Sequence, residues 1–541
     1  MQSRTAPWYK TPVADRLNAP AAVGGAYARY VLAILTLVYV FNFIDRQILS
    51  ILAPQIQAEL GVSDADISFL YGTAFAVFYA VFGIPLGRLA DVWTRRSLIA
   101  LGLAVWSGMT ALSGTARGFT SLAAYRIGVG IGEASASPAA FSLLGDWFSP
   151  RMRGFALAIY SSGIYIGAGI GIFLGGWIVD GWQALYPAGD APFGLRGWQV
   201  AFFAVGLPGL VLALWVRSLR EPRRGQSEGL PEKAPHAHPF RELGRELFAV
   251  VPPFTLLSLA RAGGARAVAK NLAAAAAIAL GAWGMIQLTG STAQWSALAL
   301  GCYSACAWAQ GLAQRDATAF TLIFRSRALL LLAVGFASIA FVTYGAGFWG
   351  PSFFRRVHGV SSHEVGTVIG LSAAVGGWLG VSLGGALSDR WKARSPNGRL
   401  WVGGLTIVLS VPSGLWMLHT RSLALAYALN FVFALVSPLW IGAGASAVNE
   451  LVLPRLRAVA SAFYLLVLTF IGLALGPYTM GKLSDVFARG GADPGIALRD
   501  AMSLGLGMFA VSAVALLLAS RFLPAEEASR FERARAAGEL V

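Results

Sequence analysis

Charge is scarce in this chain. Asp, Glu, Lys and Arg supply 13% of its 541 residues, about half the ~25% usual in soluble domains, too few to cover a water-exposed surface of that size. Cysteine is scarcer still. Cys302 and Cys306 are the two cysteines; they stand four apart on an expected helix with no histidine or carboxylate company, which suits helix packing better than a metal centre. No metal and no cofactor is therefore expected. The five histidines lie in a polar linker (His236, His238) or near expected membrane edges (His358, His363, His419). A lipid hydrolase or transferase would need a nucleophile with its base, or a metal cluster, so an enzyme is not expected. No phosphate-cradling loop of Walker form is present, which removes ATP-driven pumping. No small-residue cleavage site follows the first apolar run, and a polar tail precedes that run, so a removable signal peptide is not expected.

Hydrophobic residues are abundant instead, at 56%, with a mean hydropathy of +0.63. Apolar runs of about 18–25 residues recur along the chain, the length a helix needs to cross a ~30 Å hydrocarbon layer at 1.5 Å per residue. They fall at about 30–52, 67–90, 97–115, 119–147, 152–179, 198–219, 327–350, 364–388, 400–419, 422–449, 456–483 and 500–522, with two weaker ones near 268–288 and 294–314. The formal charge of +16 does not point to nucleic acid, because the basic residues sit between spans and form no single patch with interleaved aromatics. They report topology. With the N-terminus inside, roughly nineteen Lys/Arg lie in inner loops and tails against roughly eight outside. A multi-pass protein of the cell (inner) membrane with both termini cytoplasmic is expected.

The chain also repeats itself. Residues 29–96 align without a gap on 327–394: Gly61, Val62 and Ser63 fall on Gly359, Val360 and Ser361, Asp66 on Glu364, Gly72 on Gly370, and Gly87, Asp91 and Arg96 on Gly385, Asp389 and Arg394. Further on, FSPRMRGFALAIY (148–160) pairs with VLPRLRAVASAFY (452–464), matching Arg153 to Arg457 and Tyr160 to Tyr464. Gly171, Gly176 and Asp180 then fall on Gly476, Gly481 and Asp485. Two six-span halves of the same handedness are the parallel-repeat plan of alternating-access transporters, in which one bundle rocks against the other. The divisions are a tail 1–29, a bundle 30–220, a linker 221–326, a bundle 327–522 and a tail 523–541. Both halves enter from one side, so the linker holds zero or two spans; parity favours 268–288 and 294–314 as an extra hairpin. It also makes 247–260, broken by Pro252-Pro253, an interfacial segment.

A charge at the bilayer centre costs roughly 2.5–3.5 kcal/mol on insertion scales, so it must face a partner or a wet cavity. Asp45 and Arg46 lie in the first span, Arg126 and Glu133 in the fourth. The latter two are separated by two helical turns, ~10.5 Å, on one face. An ion pair between the first and fourth spans is geometrically allowed. At the repeat offsets Asp45 becomes Thr343, Arg126 becomes Asn430 and Glu133 becomes Ser437, so charge is confined to the first half. A requirement of the fold should recur in both copies, and an asymmetric cluster points to chemistry. Burial raises a carboxylate's proton affinity and a nearby arginine lowers it, so a motion that changes their separation couples to protons. Arg126 stays charged; Asp45 or Glu133 must carry the proton, while Arg126 or Arg46 can hold an anionic substrate group. Tyr160, Tyr165, Tyr344 and Tyr464, with Tyr71, Phe75 and Tyr79, offer apolar faces with polar tips suited to an amphipath.

The loop GRLADVWTRR, repeated as GALSDRWKAR, resembles the cytoplasmic signature loop of the major facilitator superfamily. That resemblance implies a gate in which Gly87, Asp91, Arg95 and Arg96, with Asp389 and Arg394 in the copy and Arg153 and Arg457 as partners, hold the inner side closed. It also implies that the spans bearing Gly163, Gly167, Gly171 and Gly175, and Gly376, Gly380 and Gly384, meet across the two halves. NFIDR (42–46) and RIGVGIGEASASPAAFSLLGDWF (126–148) narrow the likeness to the spinster branch, whose animal members export lysophospholipids and sphingosine 1-phosphate. Resemblance to that branch implies an all-α membrane protein of the major facilitator fold with two six-helix bundles; the inserted hairpin departs from that twelve-span plan, and a monomer is expected. Asp45, Glu133 and Arg126 would couple protons; Asn42, Arg46, Arg126, Glu133 and the four tyrosines would bind a lysolipid- or sphingolipid-like substrate. Uptake of a small organic anion by the same residues is the competing expectation.

Overall fold

The computed structural model describes residues 23–187, 190–228 and 238–539; most of the expected N-terminal tail and the middle of the polar linker, His236 included, lie outside the described residues. Thirteen helices among the described residues are long and apolar enough to cross a bilayer. Six form the first half: α1 (Ala26–Leu60), α2 (Asp64–Val92), α3 (Arg95–Ser113), α4 (Phe119–Trp147), α5 (Pro150–Leu185) and α6 (Gly197–Arg217). The inserted hairpin is α7 (Gly263–Thr289) and α8 (Thr292–Arg315). The second half is α9 (Arg327–His358), α10 (Ser362–Lys392), α11 (Gly398–His419), α12 (Leu423–Glu450), α13 (Pro454–Arg489) and α14 (Pro494–Ala528). α8 is more polar than the other thirteen; it turns back on α7 after Gly290 and Ser291 and hides its polar groups against the protein. Asn271 of α7 is hydrogen-bonded to Tyr303 and Gln310 of α8 at 2.7 and 2.9 Å, and Tyr303 meets Thr255 of the preceding segment at 2.9 Å.

The repeat is a repeat of punctuation. Gly61 and Gly359 close α1 and α9 in the left-handed region, with φ of 65° and 67°, where a side chain is strained. Ser63 and Ser361 then cap the next helix by accepting from the backbone of Asp66 and Glu364, which satisfies N–H groups otherwise left without partners.

The outer seal between the halves has the same symmetry. α2 crosses α13, and α10 crosses α5, each at small residues. A Cβ on Gly481 would lie 2.5 Å from the Asp64 carbonyl, and one on Gly176 would strike that of Ser362; a Cβ on Gly370 would lie 2.6 Å from the Gly169 carbonyl. Each crossing ends in a carboxylate from one half capping a helix start of the other: Asp485 accepts from the Asp64 and Ala65 backbone at 3.0 and 2.9 Å, and Asp180 from the His363 backbone at 2.6 Å. Anions at helix N-termini are favoured by the aligned peptide dipoles. Among the described residues, every hydrogen bond that directly joins the halves lies in their outer portions. The halves are hydrogen-bonded to each other, among the described residues, at the end that holds Gly61 and Gly359 and not at the opposite end; on the topology that the charge bias predicts, the bonded end is the outer one.

This corrects the expected role of the glycine rows. Gly163, Gly167 and Gly171 face the α1 backbone and Gly175 its isoleucines, while Gly376, Gly380 and Gly384 face α12; both rows pack inside their own half. A spacing of four marks one helix face, and the faces that meet across the halves are the others, carrying Gly169 and Gly176 on α5, Gly366 and Gly370 on α10. Gly481→Val is expected to hold the outer seam apart and reduce transport by roughly 10-fold or more, since overpacking a close contact costs about 1–3 kcal/mol or more. Gly154→Val, in open space, should leave it unchanged; flux in proteoliposomes compares the two.

The hairpin makes the two seams unequal. Thr73 of α2 donates to Gln294 of α8 at 2.7 Å and to the Ala474 carbonyl of α13 at 3.1 Å, all buried. At the repeat-related position of the other seam stands Leu371, 63% exposed. The linker is fastened to the first half's inner loop: Glu221 takes the Arg95 and Arg96 backbone, Arg224 reaches the Ala90 and Trp93 carbonyls, and Phe240 lies 5.1 Å from the Trp93 ring. The segment with Pro252-Pro253 is a bent pair of helices, Pro239–Val250 and Phe254–Arg261, at 94°. Arg455 ties the far end of the linker to the second half through Asp316 at 2.7 Å. Hydrogen bonds from Arg455 hold the Asp316 carboxyl below its ordinary range. A depressed carboxylate contributes stability that is full above its unfolded pKa and fades as pH falls through the folded one. The thermal midpoint of Asp316→Asn is therefore expected to trail the native chain at pH 7 and to converge with it on acidification below the usual Asp range.

Candidate functional site

The charged residues of the first and fourth spans do come together, in an arrangement that differs from the simplest expectation. α4 breaks after Glu133, with Ala134 and Ser135 between its two helices, and the break presents Glu133 to α1. Arg46 Nη2 meets Glu133 Oε2 at 2.7 Å; the residues are 8% and 1% exposed. Phe43, Phe75 and Tyr79 surround the guanidinium, their ring centres 4.7, 4.2 and 5.7 Å from its carbon, where the negative ring faces add attraction. Asn42, one turn before Arg46, is buried on the Glu133 side.

Asp45 and Arg126 point the other way, into the first bundle. Arg126 donates Nη1 to the Asp45 carbonyl at 3.2 Å and Nε to the Leu70 carbonyl at 3.3 Å, tying α4 to α1 and α2. The Asp45 carboxylate is fully buried, faces Arg126, Thr110 and Trp106, and makes no hydrogen bond among the described residues; Arg126 Nη2 likewise has none. The ion pair between the first and fourth spans is thus Arg46–Glu133, with Asp45 and Arg126 stacked behind it. Adjacent residues on a helix point 100° apart, so Asp45 and Arg46 cannot serve one direction.

The second half contributes Tyr344 of α9, which faces the Arg46 group, and Gln47 of α1 reaches back to the Gly347 carbonyl at 3.1 Å. Tyr71 donates to Gln47 at 3.1 Å and stacks on Phe348. Thr343 bonds to its own helix, and Ser437 is buried without charge, so the asymmetry between halves persists. Of the four tyrosines, Tyr165 presses its ring on Gly377 of α10 at the crossing between halves. Tyr160 stacks on Tyr39 at 4.3 Å. Tyr464 packs within the second bundle, its hydroxyl against Gly444 beside Phe336. Repeat partners Tyr160 and Tyr464 keep the same intra-half packing, which is why they match.

The residues expected to form the inner gate pair, where they pair, within their own half or with the linker. Asp91 pairs with its own neighbour Arg88 at 3.8 Å, both well exposed; Asp389 meets Arg399 of its own half at 3.4 Å; Arg394 and Arg457 are exposed. Gly87 lies against Pro138 of α4. Among the described residues none of these bonds to the opposite half. Arg95 is instead wholly buried between Asp146 at 2.5 Å and Glu221 at 2.8 Å, Arg96 hydrogen-bonds the Leu219 carbonyl, and Arg153 pairs with Glu228 at 2.8 Å.

Sequence reasoning missed the outer knot. Arg356 of α9 takes Asp64 in a two-pronged pair of 2.7 and 2.8 Å, with Gln57 at 3.0 Å and Ser484 donating to Asp64 at 2.6 Å. Asp64 reads as an ordinary helix-start acid and Arg356 as an ordinary helix-end base; the signal that could have found them is the repeat, since Asp485 caps this same corner.

The family model described as Major Facilitator Superfamily matches residues 35–477. The chain is 28% identical over 459 residues to an MFS-type efflux pump of Mycolicibacterium smegmatis, covering 84% of this chain and 83% of that one. It is 24% identical over 469 residues to Protein spinster of Drosophila melanogaster, 85% of this chain and 62% of that one. Among solved structures, a bacterial homolog of the human lysosomal transporter Spinster, inward-facing and unoccupied, superposes with a TM-score of 0.67 at 28% identity, covering 94% of this chain and 98% of that one.

Proposed function

Because this chain belongs to the Major Facilitator Superfamily and is spinster-like along most of its length, we propose that it carries a lysolipid- or sphingolipid-like amphipath across the cell membrane, coupled to protons, as a monomer with both termini cytoplasmic. The observation that carries the reading is the buried Arg46–Glu133 pair inside an aromatic enclosure, at the level where Tyr344 of the other half faces it. Protonation of Glu133 removes the counter-charge of Arg46, and the freed guanidinium can take an anionic headgroup. Phe43, Phe75 and Tyr79 then offer apolar contact to the part of the substrate next to that group. Asp45, without a hydrogen-bond partner and beside Arg126, is a second proton acceptor, and its neighbour Arg126 braces the backbones of α1 and α2, so its charge state bears on how those helices sit. Substrate and proton thus compete for one set of charges, which ties binding to the rocking of the halves.

The unpartnered Nη2 of Arg126 supports the second reading, transport of a small organic anion. Flux in proteoliposomes under an imposed proton gradient separates the two with one panel: labelled lysolipids against organic acids. The native chain is expected to move the lysolipid, and Asp45→Asn and Glu133→Gln to lose gradient-driven flux by roughly 10-fold or more, with each pKa unit of lost coupling worth a factor of ten. Flux of organic acids alone would replace the substrate; flux indifferent to both substitutions would end the proton assignment.

A further inference from the structure

A surface that the transport cycle does not use runs along the inner rim of the inserted segment. Helix Pro239–Val250 turns Leu243, Leu247 and Val250 toward the protein and leaves Phe240 and Phe248 half exposed, one ridge apart from the exposed Arg241 and Arg245. Phe254 and Leu257 extend the apolar ridge past the 94° bend, and Phe248 and Phe254 touch at 4.4 Å between ring centres. Beyond them Arg261, Arg266 and Lys270 are exposed and have no carboxylate partner among the described residues. The two acids of the stretch, Glu242 and Glu246, lie on the helix itself, and Glu242 is occupied by Arg245 at 2.6 Å.

The position of these groups says what they meet. The apolar window of α7 has no buried residue, so its flank is presented to lipid; Arg266 and Lys270 mark the first turns of that flank at its cytoplasmic end, and Arg261 ends the helix just before it. Long basic side chains at such a level reach to the headgroups while their stems lie along the hydrocarbon. Aromatic rings beside them belong at the same boundary. A ridge of phenylalanine and leucine flanked by uncompensated cations is complementary to an acidic bilayer surface, and each cation near such a surface adds attraction.

We infer that the bent segment 239–270 is a docking surface for anionic phospholipid headgroups of the cytoplasmic leaflet. Trp93 carries this contact to the first half: its ring lies against Phe240, and its carbonyl is held by Arg224. The lipid surface therefore holds the inner loop of the first bundle while the second bundle moves. The inference stands on the inserted segment alone and survives any outcome for substrate or proton.

The full chain in mild detergent, offered equal amounts of phosphatidylglycerol and phosphatidylcholine, is read by native mass spectrometry. The native protein should retain phosphatidylglycerol in preference, and Arg261→Gln/Arg266→Gln/Lys270→Gln should lower that preference by roughly 10-fold or more. Arg117→Gln/Arg196→Gln/Arg421→Gln, the same charge change on the outer side, should keep it. Equal retention of the two lipids by the native chain, or the same preference in both triple variants, overturns the proposal. Displacement of phosphatidylglycerol by millimolar glycerol phosphate also overturns it, since that would make the site a pocket for free phosphate.

Discussion

Arg46→Met is expected to stop transport and to destabilise the protein by about 3–5 kcal/mol, the usual consequence of leaving one member of a buried ion pair alone. Glu133 has no other charge-assisted hydrogen bond among the described residues, and Arg126 is committed to two carbonyls. Arg46→Lys keeps the charge but not the planar contact with Phe75 and Tyr79, and should recover only part of the stability. The double variant Arg46→Met/Glu133→Leu separates structure from function. Well-packed apolar replacements of a buried pair are often neutral or stabilising, so the double variant should melt close to the native chain and still carry no substrate. Thermal unfolding in detergent and flux in proteoliposomes read the two quantities. A double variant that transports would reduce the pair to a packing device; one that melts as low as the single variant would mean that the enclosure needs the charges for its shape.

The features legible in the sequence are those that repeat or are dear. The spans were readable because apolar length is set by the bilayer, and the halves because Gly61-Val62-Ser63 and Gly359-Val360-Ser361 encode the same turn and cap. The four intramembrane charges were readable because each must have a reason to be there. Which charge met which was not. Asp45 and Arg46 are neighbours, and only the rotation of α1 against a broken α4 decides that Arg46 finds Glu133. The partner of each glycine row is hidden for a related reason: a row of small residues shows that a helix is approached closely, but its partner is fixed by the helix's rotation, and α5 is approached from two sides. Parity places the hairpin but hides its consequence, since nothing in the string QW at 294–295 says that Gln294 will accept from Thr73, the same hydroxyl that reaches the Ala474 carbonyl.

Arg356→Gln is expected to move the protein away from the outward-sealed state by about 3–5 kcal/mol, a shift of roughly two to four powers of ten in the balance between states. Asp64 belongs to the first half and everything that holds it from across the seam, Arg356, Ser484 and the caps from Asp485, belongs to the second. The guanidinium also lies 5.6 Å from the Trp349 ring, so its replacement loses an aromatic contact as well. In the proposed alternating-access cycle, opening the outer side breaks this knot, whereas the opposite crossing carries one capping carboxylate, Asp180. The knot therefore sets the larger share of the barrier. With Cys302 and Cys306 replaced by serine and a cysteine placed at Gln47, below the seal, a membrane-impermeant thiol reagent added outside should label Arg356→Gln at least roughly 10-fold faster than the parent. Asp64→Asn, which keeps hydrogen bonding but strands the arginine charge, should give the same direction. Unchanged labelling with a lowered melting point would mean that the knot stabilises the fold in both states alike, and then the capping carboxylates of the two symmetric crossings, not the ion pair, would be the gate.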